Sequence, residues 1–229
     1  IDIKMPRQAA VLDLMHHIYI AQKNWRALED IFPAMRKAKV LSNVEFEALE
    51  VLLACEKMQA QSVQSKSLLI AERLPALQTL WKSYSRSVQK RPAVIAAYAQ
   101  ALVENYQDQE AEIIVRKALA NTWYEPLVSL YGRLQVKEIH NQIRTLEGWL
   151  KNNPQDPTLL LSMGRVMLRN QQWELAREYF QRSLNLQKSM EASMELSNLM
   201  ERLGEHQRAN EYYRLSVELA GQHQEPNKG

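Results

Sequence analysis

Hydrophobic and polar positions follow a helical period through nearly the whole chain. The pattern is sharpest over 157–188, where apolar residues recur at three- and four-residue spacing on both sides of the polar break Arg169-Asn170-Gln171-Gln172. That spacing predicts two short amphipathic helices joined by a tight turn. Extended along the chain, it predicts helices over 7–22, 25–39, 43–61, 72–88, 92–105, 108–121, 124–134, 136–151, 157–170, 173–186, 190–203 and 206–220. Pro33 falls inside the second and should kink or break it, because proline lacks the amide hydrogen of the helix ladder. The polar stretch 59–67 reads as a loop, and 222–229 as a polar tail that is expected to be disordered.

The hairpin recurs along the chain. Ala176, Phe180 and Ser183 return 33 residues later as Ala209, Tyr213 and Ser216, with Gly164 answered by Ser197. Stepping back by 65, Pro157 meets Pro92, Gly164 meets Ala99 and Ala176 meets Ala111. Stepping back by 148, Trp173 meets Trp25 and Phe180 meets Phe32. A degenerate pair, 123–134 and 136–151, lies between the Pro92 and Pro157 copies. These alternating small and bulky positions resemble the tetratricopeptide repeat (TPR), in which each helix pair buries its face on its neighbours. The resemblance implies an all-α fold: one TPR-like right-handed superhelix of about twelve antiparallel helices over 1–221. Gly164 costs a helix roughly 1 kcal/mol against alanine, so close packing should offset it, with Ala176 as the expected neighbour. Trp25 and Trp173 should be largely shielded at the start of their helices.

Composition agrees with helices and removes several function classes. The 229 residues include 6 Gly, 8 Pro and 9 Met, and aromatic residues make up only 7%, too few β-formers for a large sheet. The single cysteine, Cys55, excludes an internal disulfide and zinc sites built on cysteine pairs, and its apolar row suggests a buried structural thiol. No apolar run is long enough to span a membrane. Nucleotide-binding glycine motifs and H-E-x-x-H are absent, so the sequence does not read as an enzyme. Among His16, His17, His140, His206 and His223 none stands four residues from another, so no metal site is expected. Net charge is +3, and residues 61–154 carry 12 basic against 8 acidic side chains. Lys82, Arg86 and Lys90 follow at four-residue steps, which on one helix would make a basic face for an acidic partner, a porphyrin propionate or an anionic membrane. Nucleic acid is not expected, because no aromatic platform accompanies the patch.

Pro6-Arg7, Val11-Leu12, Leu14, Tyr19-Ile20, Trp25, Leu28, Pro33, Met35, Lys37-Ala38 and Val40 resemble the membrane-distal part of the HemY proteins. So do Trp81-Lys82 with Ser85-Arg86, and the repeat around Leu160, Met163-Gly164, Trp173, Phe180 and Leu184. The resemblance implies a soluble fragment of a TPR protein of the bacterial inner membrane, anchored by N-terminal helices that this chain lacks, with its repeats in the cytoplasm. It implies a scaffold for enzymes of late haem synthesis, with haem or porphyrin as a further ligand and no catalytic residues. A haem or porphyrin carrier, or a TPR adaptor of another envelope pathway, are the alternatives. By repeat register Thr158, Leu161, Arg165, Leu168 and Arg169 should line a concave groove, as should His17. Arg165 and Arg169 stand one turn apart and suit an acidic segment or a propionate, unless Glu201 of the next repeat neutralises one of them.

Overall fold

The structure is a computed structural model that describes residues 4–222, with side chains from Gln8 to Gly221. Thirteen helices, and no strand, occur among the described residues: α1 Lys4–Ala21, α2 Trp25–Ala38, α3 Asn43–Ser65, α4 Ile70–Ser83, α5 Arg86–Gln89, α6 Pro92–Glu104, α7 Asp108–Leu119, α8 Glu125–Arg133, α9 Ile139–Asn152, α10 Pro157–Arg169, α11 Trp173–Leu186, α12 Met190–Arg202 and α13 His206–Gln222. The expected tail lies outside the described residues beyond Gln222. Where periodicity leads to one continuous array over 1–221, the contacts divide the chain into two compact units, Ile1–Gln107 and Asp108–Gly229. Both units use the same helical period, so the pattern of apolar positions carries no mark of the division. It falls between α6 and α7, inside the expected Pro92 hairpin.

In the first unit α1 packs on α2 and α2 on α3 around Leu12, Leu28, Met35, Phe46 and Leu49, and α3 packs further on α4 and α6. Three expectations change here. Helix α2 runs unbroken through Pro33, which is exposed, as is Glu29, whose carbonyl loses the ladder bond to the solvent side. Helix α3 continues through the polar stretch to Ser65 because those polar groups are bonded. Ser62 Oγ donates to Glu104 Oε2 at 2.8 Å, and Asn105 Nδ2 donates to Ser62 Oγ at 3.0 Å and to its carbonyl at 3.3 Å. The expected 72–88 helix is split at Tyr84, which is extended. Tyr84 Oη reaches the Ala54 carbonyl at 2.9 Å, and Ser85 caps a new four-residue helix through the Val88 amide.

The repeat register is written in the turns. Lys23, Tyr106, Gln171 and Gly204 all adopt left-handed φ, between 49° and 77° in the set that also includes Lys39. The residue after each donates to a carbonyl five positions back, as in Gln172 to Met167 at 2.9 Å and Glu205 to Met200 at 2.9 Å. The left-handed residue itself bonds three positions back, as in Gln171 to Leu168 at 3.1 Å. This is the Schellman closure of a helix C-terminus. Their spacings are 204 − 171 = 33, 171 − 106 = 65 and 171 − 23 = 148, the same steps at which the side-chain pattern recurs.

In the second unit α10 packs on α8, α9 and α11, α11 on α12, and α12 on α13. Small residues set the distances. A Cβ added to Gly164 would lie 2.4 Å from two ring carbons of Phe180, and one added to Gly132 would lie 2.5 Å from Cα and Cβ of Ser162. The side chain filling the space over Gly164 is therefore Phe180, one turn beyond the expected Ala176, although Ala176 is itself fully buried. Serine hydroxyls bridge the close helices to backbone carbonyls: Ser162 to Val128 at 2.9 Å, Ser183 to Pro157 at 2.7 Å and Ser197 to Ala209 at 2.9 Å. Ala111 and Ala209 are likewise buried. Between α8 and α9 no such small pair exists; the Tyr131 and Trp149 rings meet at 4.7 Å, and both helices pack on α10 instead. Trp25 and Trp173 are half-buried rather than largely shielded.

Two glycine substitutions of opposite sign test this packing. Gly164→Ala should lose about 1–2 kcal/mol net in chemical denaturation, since overpacking outweighs the gain in helix propensity. Gln171→Gly should gain up to about 1 kcal/mol by relieving the left-handed backbone. An equal or higher midpoint for Gly164→Ala would contradict the contact.

Candidate partner-binding cleft

Two of the residues that repeat register assigns to a groove line one cleft. Thr158 and Leu161, at positions 2 and 5 of the repeat, line a cleft of about 320 Å³ in the second unit. Its other walls come from α8 (Glu125 and Ser129), from Ser183 near the end of α11, and from Met190 and Glu191 at the start of α12. Asp156 caps α10 through the Leu159 amide at 2.9 Å, and Thr158 Oγ1 donates to Glu125 Oε1 at 2.8 Å, which ties the mouth of α10 to α8. Met190 is 43% exposed. The cleft thus offers an apolar floor at Leu161, an accessible thioether and carboxylates at its rim, the mixed lining that suits a peptide segment.

Arg165 and Arg169 do not stand free in that groove. Arg165 is 9% exposed; its Nε donates to Glu195 Oε1 and its Nη2 to Glu191 Oε2, both at 2.7 Å. Burial alone would lower its pKa, but the two carboxylates outweigh it and push the value up, so the guanidinium stays charged. The acids are at positions 2 and 6 of the next repeat, not Glu201 at position 12, which instead meets His206 at 3.1 Å. Arg169 Nη1 donates to the Gly132 carbonyl at 2.7 Å and Nη2 to Gln142 Oε1 at 3.0 Å, while Gln142 Nε2 donates to the Tyr131 carbonyl at 2.7 Å. Together they close the orphan carbonyls of the last turn of α8, where a cation is favoured by the helix dipole. Burial, together with the nearby charge of Arg165, lowers the Arg169 pKa. Leu168 is half-buried beside this network.

In the first unit, the split at Tyr84 undoes the expected basic face. Lys82 lies near the end of α4, Arg86 opens α5 and Lys90 caps it, so the three share no helix face. All three are exposed, and among the described residues none has an ion-pair partner, whereas the adjacent Arg91 pairs with Glu47. His17 is exposed on α1, with Nδ1 2.8 Å from the Asp13 carbonyl. Cys55 is half-buried, and burial raises its pKa, which leaves it a weak nucleophile.

Sequence reasoning missed two sets of partners. Glu191 and Glu195 are four apart on α12 and so share a face, a signal that repeat register could have matched to Arg165. Asp13 stands three and four residues before His16 and His17, a mixed set that a search for histidine pairs passes over.

No protein-family model matches the chain. Protein HemY of Escherichia coli strain K12 is 24% identical over 221 residues, covering 96% of this chain and 54% of that protein. Protein HemY of Shigella flexneri gives the same figures. The chain spans about half the length of the curated relatives it matches. Among solved structures, TTC0263, a thermophilic TPR protein of Thermus thermophilus, superposes with a TM-score of 0.52 at 18% identity, over 72% of this chain and 92% of that one. The fold is therefore that of a TPR-like helical repeat.

The different surroundings of the cations predict different costs. Arg165→Ala should destabilise the chain by about 1.5–3 kcal/mol, because it strips two charged hydrogen bonds from a buried contact. Replacing Lys82, Arg86 and Lys90 together by Ala should stay within about 0.5 kcal/mol per site. Urea denaturation of both variants checks this, and a neutral Arg165→Ala would contradict the internal role.

Proposed function

We propose that this chain is a helical-repeat scaffold that binds partner proteins, and that its partners are enzymes of late haem synthesis at the bacterial inner membrane. The observation that carries the scaffold reading is the cleft at Thr158, Leu161 and Met190, which includes two of the positions that repeat register assigns to a groove and whose mixed lining suits an extended or helical peptide. The mechanism is recognition. Buried small residues and the Arg165 and Arg169 networks fix the helices, and the cleft side chains are left to make contact. Similarity to Protein HemY over nearly the whole chain supports the finer reading of pathway and place. Anchoring would come from parts of a longer protein, since no helix among the described residues is long and apolar enough to cross a membrane. The exposed Lys82, Arg86 and Lys90 supply a second contact for an acidic partner surface, and porphyrin or haem remains the alternative ligand.

Met190→Glu and Thr158→Arg, combined, should abolish capture of purified late haem-synthesis enzymes by the protein carried in its full-length anchored form, with circular dichroism unchanged. Capture that persists in the variant would overturn the cleft as the binding site. No capture by the unaltered protein would overturn the choice of partner, and a haem-dependent Soret band would favour the carrier instead.

A further inference from the structure

The first unit holds a second pocket, of about 510 Å³, against α1 and the start of α3. Asp13, His16 and His17 line it from one helix, with Leu41, Glu45 and Leu49 opposite. Each of the first three offers one donor atom, and these atoms lie within 4.8 Å of one another. His16 is only 5% exposed, yet its Nδ1 makes no hydrogen bond, and its near neighbour is Asp13 Oδ1 at 3.4 Å. A buried ring nitrogen whose neighbour is a half-exposed carboxylate beyond good hydrogen-bond distance has room for a shared ligand between the two. The two imidazole centroids are 4.0 Å apart, and both rings face the same Asp13 carboxylate.

We propose that Asp13, His16 and His17 form a binding site for a divalent transition-metal ion of the zinc class. Three features carry it. The Asp13–His16 separation of 3.4 Å equals the edge of a tetrahedral zinc site, about 3.3–3.4 Å for metal–ligand bonds near 2.0–2.1 Å. His17 Nδ1 donates to the Asp13 carbonyl, which fixes its tautomer with the lone pair on Nε2, the outer-shell arrangement common for ligating histidines. Two imidazoles and one carboxylate match zinc, nickel, cobalt and copper rather than calcium or magnesium, which favour oxygen-rich sets. Three protein ligands leave a fourth position, open to water or to a donor from a partner. Glu45 stands across the pocket, with its Oε2 already accepting from the Ser42 amide at 2.8 Å, so it belongs to the α3 cap before it belongs to the metal.

Titration of tag-free protein with Zn²⁺ by calorimetry, and with Co²⁺ followed by its visible ligand-field bands, tests the site. One ion per chain should bind, with tetrahedral-type cobalt bands. Asp13→Asn and His17→Gln, both at exposed positions that leave the core intact, should each weaken binding at least about 10-fold. His16→Gln should abolish it, and His206→Gln, which touches only the separate Glu201 pair, should leave it unchanged. Absence of stoichiometric binding, or binding that survives Asp13→Asn and His17→Gln, would overturn the proposal.

Discussion

The approach of one helix to the next, set by residues too small to hold them apart, is the constraint on which the second unit depends. Gly164 leaves room for the Phe180 ring and Gly132 for the backbone of Ser162. At that spacing a serine hydroxyl reaches the neighbouring helix's carbonyl, so Ser162, Ser183 and Ser197 convert proximity into directional bonds. Where the small residues are missing, between α8 and α9, the aromatic pair Tyr131 and Trp149 takes the space and α10 becomes the common packing partner. Burying a polar group is costly unless it is bonded, and close approach supplies the bonds of these three serines.

The same spacing decides which groove residues can meet a ligand. The Arg165 side chain reaches from α10 to Glu191 and Glu195 of α12 and is consumed in holding one repeat to the next. Arg169 is spent on the last carbonyls of α8. Thr158, Leu161 and Met190 remain at the cleft, so the proposed recognition there would rest on shape and apolar contact more than on a pair of free arginines.

Much of the fold was legible because it rests on local rules. Helix period placed most elements within a few residues, and the steps of 33, 65 and 148 in side-chain pattern return in the left-handed turns. What escaped is non-local. The Tyr84 break depends on a hydroxyl reaching Ala54 thirty residues away, and the length of α3 on Glu104 and Asn105 bonding Ser62. The pairing of Arg165 depends on the offset between α10 and α12, which periodicity does not specify. The Asp13, His16 and His17 group was local and visible, but it is a mixed donor set spaced by three and four, not a histidine pair.

The account stands most directly on the contact between Gly164 and Phe180, and a double-mutant cycle measures it. Gly164→Ala, Phe180→Leu and the pair together would be compared by urea denaturation. If the ring fills the space that glycine leaves, the smaller leucine side chain in its place should relieve the added methyl group. The double variant should then be more stable than the sum of the single losses, by about 0.5–3 kcal/mol. Strict additivity would contradict the close approach of α10 and α11 on which the packing of the second unit rests.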